Sequence, residues 1–110
     1  MTAAIQGSAV LYSSLGADPD LGELVVMFVE EMPDRVDNLL EQYQASDWDG
    51  LYRAAHQIKG AAGSYGFNQL TPSATELEAA VRDRQPEQEI LASLNVLIDQ
   101  CRRVRAGTPE

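Results

Sequence analysis

The sequence predicts an all-α protein, an antiparallel up-down four-helix bundle carrying a short N-terminal arm or helix. Two observations point there. Apolar residues recur at helical spacing through four separate stretches, and the joins between those stretches are only a few residues long. A third observation agrees with them: no segment alternates apolar and polar residues with period two, and no internal repeat or low-complexity tract breaks the pattern. At 110 residues the chain has room for one core and one domain.

Residues 1–17 are the least patterned, because Gly7, Ser8, Ser13, Ser14 and Gly16 interrupt a few apolar positions; an extended arm and a short helix across the end of the domain both fit. Asp18-Pro19 marks a helix start, Asp as N-cap and Pro at the first helical position, with Asp20 and Glu23 in a first turn that favours negative charge. Leu21, Val25, Phe28, Met32, Val36, Leu39 and Tyr43 then form one stripe, flanked by Leu24, Val29 and Leu40. Pro33 interrupts this pattern without shifting its phase, which favours a kinked continuous helix over two pieces. Val26 and Met27 lie off the stripe and are expected to be partly exposed, either under the N-terminal arm or free to bind.

Ala45-Ser46 is the next turn, and Ser46 or Asp47 caps a second helix whose buried face is Trp48, Leu51, Ala55, Ile58 and Ala62. Gly63 to Gly66 ends it, with Gly66 suited to a left-handed C-terminal position. Phe67 leads into a third helix bearing Leu70, Ala74, Leu77 and Val81, with regular structure expected from about Asn68 to Thr71 because Pro72 is tolerated only in a first turn. Arg84-Gln85-Pro86 is a break. A last helix from Glu87 carries Ile90, Leu94, Leu97, Cys101 and Val104 on one face, with Arg102, Arg103 and Arg105 at its end. The bundle therefore spans 18–105, and 106–110 are expected to fray.

A net charge of −9 argues against nucleic acid, whose phosphates require a basic face, and against anionic membranes. No apolar run approaches the ~18 residues of a membrane span. The N-terminus has no basic-then-apolar leader pattern, and Cys101 is the single cysteine, so a cytoplasmic protein is expected.

The chemistry concentrates between Arg53 and Gly66. This stretch holds the only histidine, His56, and the only lysine, Lys59, followed by Gly60-Ala61-Ala62-Gly63. Glycine inside a helix costs roughly 1 kcal/mol against alanine, so two of them here suggest that something must approach the backbone closely. On a wheel His56 falls roughly 110° from the centre of the buried face, on the solvent side, with Gly60 one turn on and Arg53 one turn back. Lys59 lies at the edge of that face, within i+3 reach of His56. Arg53 to Gly66 contains no carboxylate and two cations, in a chain with seventeen acidic and eight basic residues. An anion on His56 would therefore find a favourable setting, with Lys59 and Arg53 to neutralise it. A histidine near its ordinary pKa is largely neutral at pH 7, and its ring nitrogen can act as a nucleophile.

The run His56-Gln57-Ile58-Lys59-Gly60-Ala61-Ala62-Gly63-Ser64-Tyr65-Gly66 resembles the signature of histidine-containing phosphotransfer (HPt) domains: a His, a Lys three on, a Gly four on, two small residues, and a Gly ten after the His. The likeness extends over about residues 18–104, including Phe28 and the Pro-interrupted first helix, Asp47-Trp48 and Leu77-Glu78. The resemblance implies that His56 takes a phosphoryl group on its outer ring nitrogen from the phospho-aspartate of one receiver domain and passes it to the aspartate of another. Lys59 would stabilise the phosphoryl charge, and Gly60 would leave room for the receiver. It implies no cofactor of the chain's own, with Mg²⁺ bound by the receiver. Partners would be response-regulator receiver domains and a hybrid sensor kinase, with the chain monomeric. Docking is expected around His56, at Tyr52 first and then Arg53, Gly63, Tyr65, Met27 and Val26. Thr71-Pro72 departs from the helix-compatible residues of relatives and bears on where the third helix starts.

The phosphoacceptor helix pair of a sensor kinase would carry an acidic residue directly after the His and a Pro a few residues on; here Gln57 follows and the next Pro is Pro72. A catalytically silent four-helix adaptor that binds receivers remains the alternative, opposed by the joint presence of His56 and Lys59. A di-metal bundle needs paired Glu-x-x-His elements and is excluded by a single His with Arg53 at minus three. No phosphate-binding loop for ATP is present, because the Gly60–Gly66 glycines neither follow a strand nor open a helix.

Overall fold

The computed structural model describes residues 10–107. Its first regular element is the two-residue strand β1 (Leu11–Tyr12), followed by turns up to Asp18 and a helix, α1 (Gly22–Gln44). Asp18 caps a turn that precedes the helix, so Pro19 lies in that turn and not at the first helical position: Oδ1 accepts from the N–H groups of Asp20 and Leu21, and the Asp18 carbonyl accepts from Gly22. Regular helix thus begins at Gly22, and Leu21, in the preceding turn, is exposed instead of joining the stripe. Val25, Phe28, Met32, Val36 and Leu39 are buried as the stripe predicts, Tyr43 is half-buried, and α1 runs unbroken through Pro33.

Ser46 turns the chain with φ 55°, and Asp47 caps α2 (Trp48–Ser64) by accepting from the Gly50 N–H at 2.9 Å. Trp48 opens this helix half-buried, edge-on to Tyr43 at 5.9 Å, while Leu51, Ala55, Ile58 and Ala62 enter the core. At the other end Gly66 takes φ 82°, and the Phe67 N–H reaches back to the Ala62 carbonyl, the bonding of a glycine-terminated helix. A 3₁₀ turn (Asn68–Leu70) leads into α3 (Thr71–Arg82), so Pro72 falls in the first turn, where its missing N–H costs no helical bond. Arg84, with φ 55°, makes the break before α4 (Glu87–Arg103).

The four helices pack in cyclic order, α3 against α2 and α4, and α1 closing the ring against α2 and α4. The protein is an all-α four-helix bundle. Its core is apolar, with the Phe28 and Phe67 rings stacked at 5.3 Å among Leu39, Leu51, Leu77, Leu94 and Leu97.

The sequence gives no period-two signal, yet β2 (Val104–Arg105) leaves the end of α4 in extended conformation and pairs in parallel with β1, Leu11 opposite Val104 and Tyr12 opposite Arg105. Val104 is therefore buried from a strand and not from the helix face expected for it. Two residues a side are too few for a period to register. Residues 10–17 form an arm, not a helix, and it straps the far end of α2: the Ser13 hydroxyl donates to the Tyr65 carbonyl, and the Ser14 N–H donates to the Gly66 carbonyl at 3.0 Å. Residues 1–9 of the expected arm and 108–110 of the expected tail lie outside the described residues.

Candidate functional site

The α2–α3 seam carries the polar cluster. Along α2, the core positions Leu51, Ala55, Ile58 and Ala62 fix the helix's rotation and leave His56 facing solvent with 63% of its side chain exposed. Lys59, at the edge of the seam, keeps 31% of its side chain exposed. Across the seam, Ala74, Leu77 and Val81 seat α3, and Glu78, beside Leu77, projects into the join with only 6% of its side chain exposed.

One carboxylate serves both α2 side chains. Glu78 Oε2 lies 2.6 Å from His56 Nδ1, and Glu78 Oε1 accepts from Lys59 Nζ at 2.6 Å. Burial by itself would push the Glu78 carboxyl up, but the hydrogen bonds and charges of Lys59 and His56 outweigh it and hold the group below its ordinary value. Glu78 is thus ionised at neutral pH and can only accept, which places the shared proton on Nδ1. In the neutral ring Nε2 is then the unprotonated nitrogen, and it makes no hydrogen bond among the described residues. The Tyr52 ring lies nearly parallel to the imidazole, at 8° and 6.2 Å between centroids, one turn towards the helix N-terminus. The hydrogen bond to Glu78 restricts how His56 can turn.

The sequence reading of a carboxylate-free setting holds along the chain from Arg53 to Gly66 and fails for the folded site. The third helix delivers Glu78 into it, and Lys59 is engaged there instead of waiting free for an anion. The sequence reading has Glu78 only as part of the family likeness and does not bring it to His56 and Lys59. Its signal was present: a glutamate between Leu77 and Val81, four residues after Ala74, falls on the buried face of an amphipathic helix, where a carboxylate needs a partner.

Gly60 and Gly63 are both exposed, and a Cβ at either would meet no atom within 4 Å. Nothing in the chain's own packing requires a glycine at these positions. Arg53 is exposed on α2. Tyr65 is half-buried with its ring 5.5 Å from Phe28, and Met27 is 52% exposed on α1 beside exposed Val26. The structure gathers Tyr52, Lys59 and Glu78 about the histidine. Among the described residues no group of three or more His, Cys, Asp or Glu side chains could hold a metal ion, and no helix is long and apolar enough to cross a membrane.

Among known families, the Hpt domain matches the chain over residues 23–107. That span includes all four helices apart from the first residue of α1, together with the seam that holds His56, Lys59 and Glu78. No curated protein and no solved structure matches the chain.

Proposed function

This chain belongs to the Hpt domain family, and on that premise we propose that His56 is the phosphoryl carrier of a phosphorelay between receiver domains. Membership implies phosphotransfer in two-component signalling and interaction with receiver domains, by a module without kinase activity of its own. The finer reading rests on one observation, the Glu78 carboxylate held between His56 Nδ1 and Lys59 Nζ at 2.6 Å each.

In this reading Nε2 attacks the phosphorus of a receiver's aspartyl phosphate. The N–P bond forms as the P–O bond to the aspartate breaks, and the aspartate leaves as a carboxylate. The ring keeps its Nδ1 proton and becomes positively charged, next to the Glu78 carboxylate, which stabilises that charge without reorganising. Return transfer to a second receiver aspartate runs the same steps backwards. Lys59 supplies a cation that can turn from Glu78 towards the phosphoryl oxygens. Glycine at 60 leaves the helix surface open for the receiver's active site. Any Mg²⁺ in the reaction belongs to the receiver, whose phosphoryl-bearing aspartate it would accompany.

The test is to incubate the protein with a radiolabelled phospho-receiver domain. Acid-labile, base-stable label is expected on the wild-type chain and absent from His56→Gln, with the helical circular dichroism unchanged. Label retained by His56→Gln would refute the assignment. If no receiver in a panel transfers to the wild type, the silent adaptor replaces it.

A further inference from the structure

Beside Tyr52, on the side away from His56, the surface opens into a groove of about 890 Å³ between the start of α2 and the α3–α4 turn. Its apolar lining is Trp48, Tyr52, Val81 and Ile90, with Arg82 and Arg84 on the α3 side. Because Tyr52 both lines the groove and lies against the imidazole at 6.2 Å, the groove continues directly from the phosphoacceptor site. A body seated over His56 reaches it without leaving the surface.

The charges of the lining are unequally committed. Asp47 is spent as the cap of α2, and Glu87 accepts from the Tyr43 hydroxyl at 3.1 Å. Asp49 makes no hydrogen bond or ion pair among the described residues and stands in the first turn of α2, where the helix's own partial charge favours a carboxylate. Arg82 pairs with Asp83, outside the lining, at 3.1 Å and lies within electrostatic reach of Tyr52 and Glu78. Arg84 has no hydrogen bond or ion pair among the described residues. Half of the chain's eight basic residues, Arg53, Lys59, Arg82 and Arg84, lie on α2 and at the α3–α4 turn, in a protein of net charge −9.

The backbone adds an independent observation. Ser46 and Arg84 are the two non-glycine residues with positive φ among the described residues, both at 55°, and both line this groove. Glycine is the residue that takes this conformation freely after a helix, so an arginine there is held against its backbone preference. Arg84 thus keeps a cation at the lip where the turn alone would favour a glycine.

We propose that this groove is a second contact for the receiver domain that engages His56, seating an apolar side chain over Tyr52 and Trp48 while Arg84 pairs with a carboxylate next to it. The proposal rests on the phosphotransfer reading. The chemistry of the partner supplies the complement: an aspartyl phosphate is an anion, and a hard divalent cation beside it must be held by oxygen ligands, chiefly carboxylates. The partner's face is therefore acidic around the reacting group, and a cation one groove away from His56 orients it.

The experiment uses the full chain and phosphorylated receiver domains that transfer to the wild type, measuring initial transfer rate against receiver concentration in Arg84→Glu, Arg84→Gly and Arg84→Lys. Arg84→Glu is expected to raise the half-saturating concentration about tenfold, with a far smaller fall in the rate at saturation, and to flatten the dependence on NaCl. Arg84→Gly removes the cation while easing the backbone, so its melting temperature should hold or rise as its half-saturating concentration goes up. Arg84→Lys should keep most of the wild-type behaviour. Unchanged half-saturating concentrations in both Arg84→Glu and Arg84→Gly, with wild-type transfer intact, would overturn the groove contact alone. Absence of transfer to the wild type from every receiver would overturn the phosphotransfer reading and the groove with it.

Discussion

Gly60 and Gly66 lie within two turns of one another on the same stretch of chain, yet they answer to different demands. Gly66 has φ 82°, and a Cβ there would stand 2.5 Å from the Ser13 hydroxyl and 2.8 Å from that of Ser14, so the N-terminal arm and the helix end both require its small size. Gly60 has ordinary helical geometry and open space where a Cβ would go. The first glycine is explained by the fold. The second is a cost to the fold that the chain's own contacts do not explain, and such a cost points to a partner. Glycine-rich sequence therefore carries two kinds of information, separable only when the surroundings of each residue are known.

The largest effect that sharpens this contrast is expected from Gly60→Gln. Receiver-dependent labelling should fall by an order of magnitude or more, while the melting temperature stays level or rises; a marked loss of stability would mean that Gly60 serves the fold after all. Next comes Glu78→Gln, which keeps the shape of the seam but removes its charge. Loss of a charged, buried hydrogen-bonding group is expected to cost about 1–3 kcal/mol in urea unfolding and to slow transfer. Glu78 is held below its ordinary value of 4.5, so its contribution to stability is fully present above that pH and is lost as pH falls through the folded value. The wild type should therefore lose stability in that acid range more steeply than Glu78→Gln. Parallel acid limbs would show that Glu78 is not ionised against Lys59 and His56.

Gly66→Ala should follow, at about 1–2 kcal/mol of destabilisation from the left-handed backbone, with more if Ser13 and Ser14 cannot yield. Transfer per folded molecule should hardly change. The smallest effect is Gly60→Ala, expected to stabilise the isolated protein by about 0.5–1 kcal/mol, since a methyl at an exposed helical position restricts only the unfolded chain. A destabilised Gly60→Ala would erase the distinction between the two glycines.

Most of the bundle was legible because its determinants are local. The Val25–Leu39 stripe, the Asp47 cap, Gly66 after α2 and Pro72 within a first turn each act over a few residues, and periodicity or capping chemistry reports them. The orientation of His56 followed from the rotation that Leu51, Ala55 and Ile58 impose on α2. The failures share the opposite property. The paired residues of β1 and β2 are 93 positions apart in the chain, Leu11 to Val104, and each strand is two residues long, so their pairing leaves no pattern in either. Glu78 is 22 residues from His56 and meets it only because α3 folds back along α2. The carboxylate-free reading of the site counted charges along one helix, whereas the charge that matters arrives from the next. Groove and lip around Arg84 likewise depend on a backbone angle that the residue type disfavours, and no propensity would predict it.

The site depends most on which nitrogen of His56 is available. On the proposed reading, Glu78 holds the proton on Nδ1, and the phosphoryl group would go to Nε2. The direct measurement is ¹⁵N and ³¹P magnetic resonance on the protein labelled at histidine and phosphorylated through a receiver domain. A phosphorus coupling to Nε2, with Nδ1 still protonated, is the predicted result. A phosphoryl group on Nδ1, or on any residue other than His56, would contradict it.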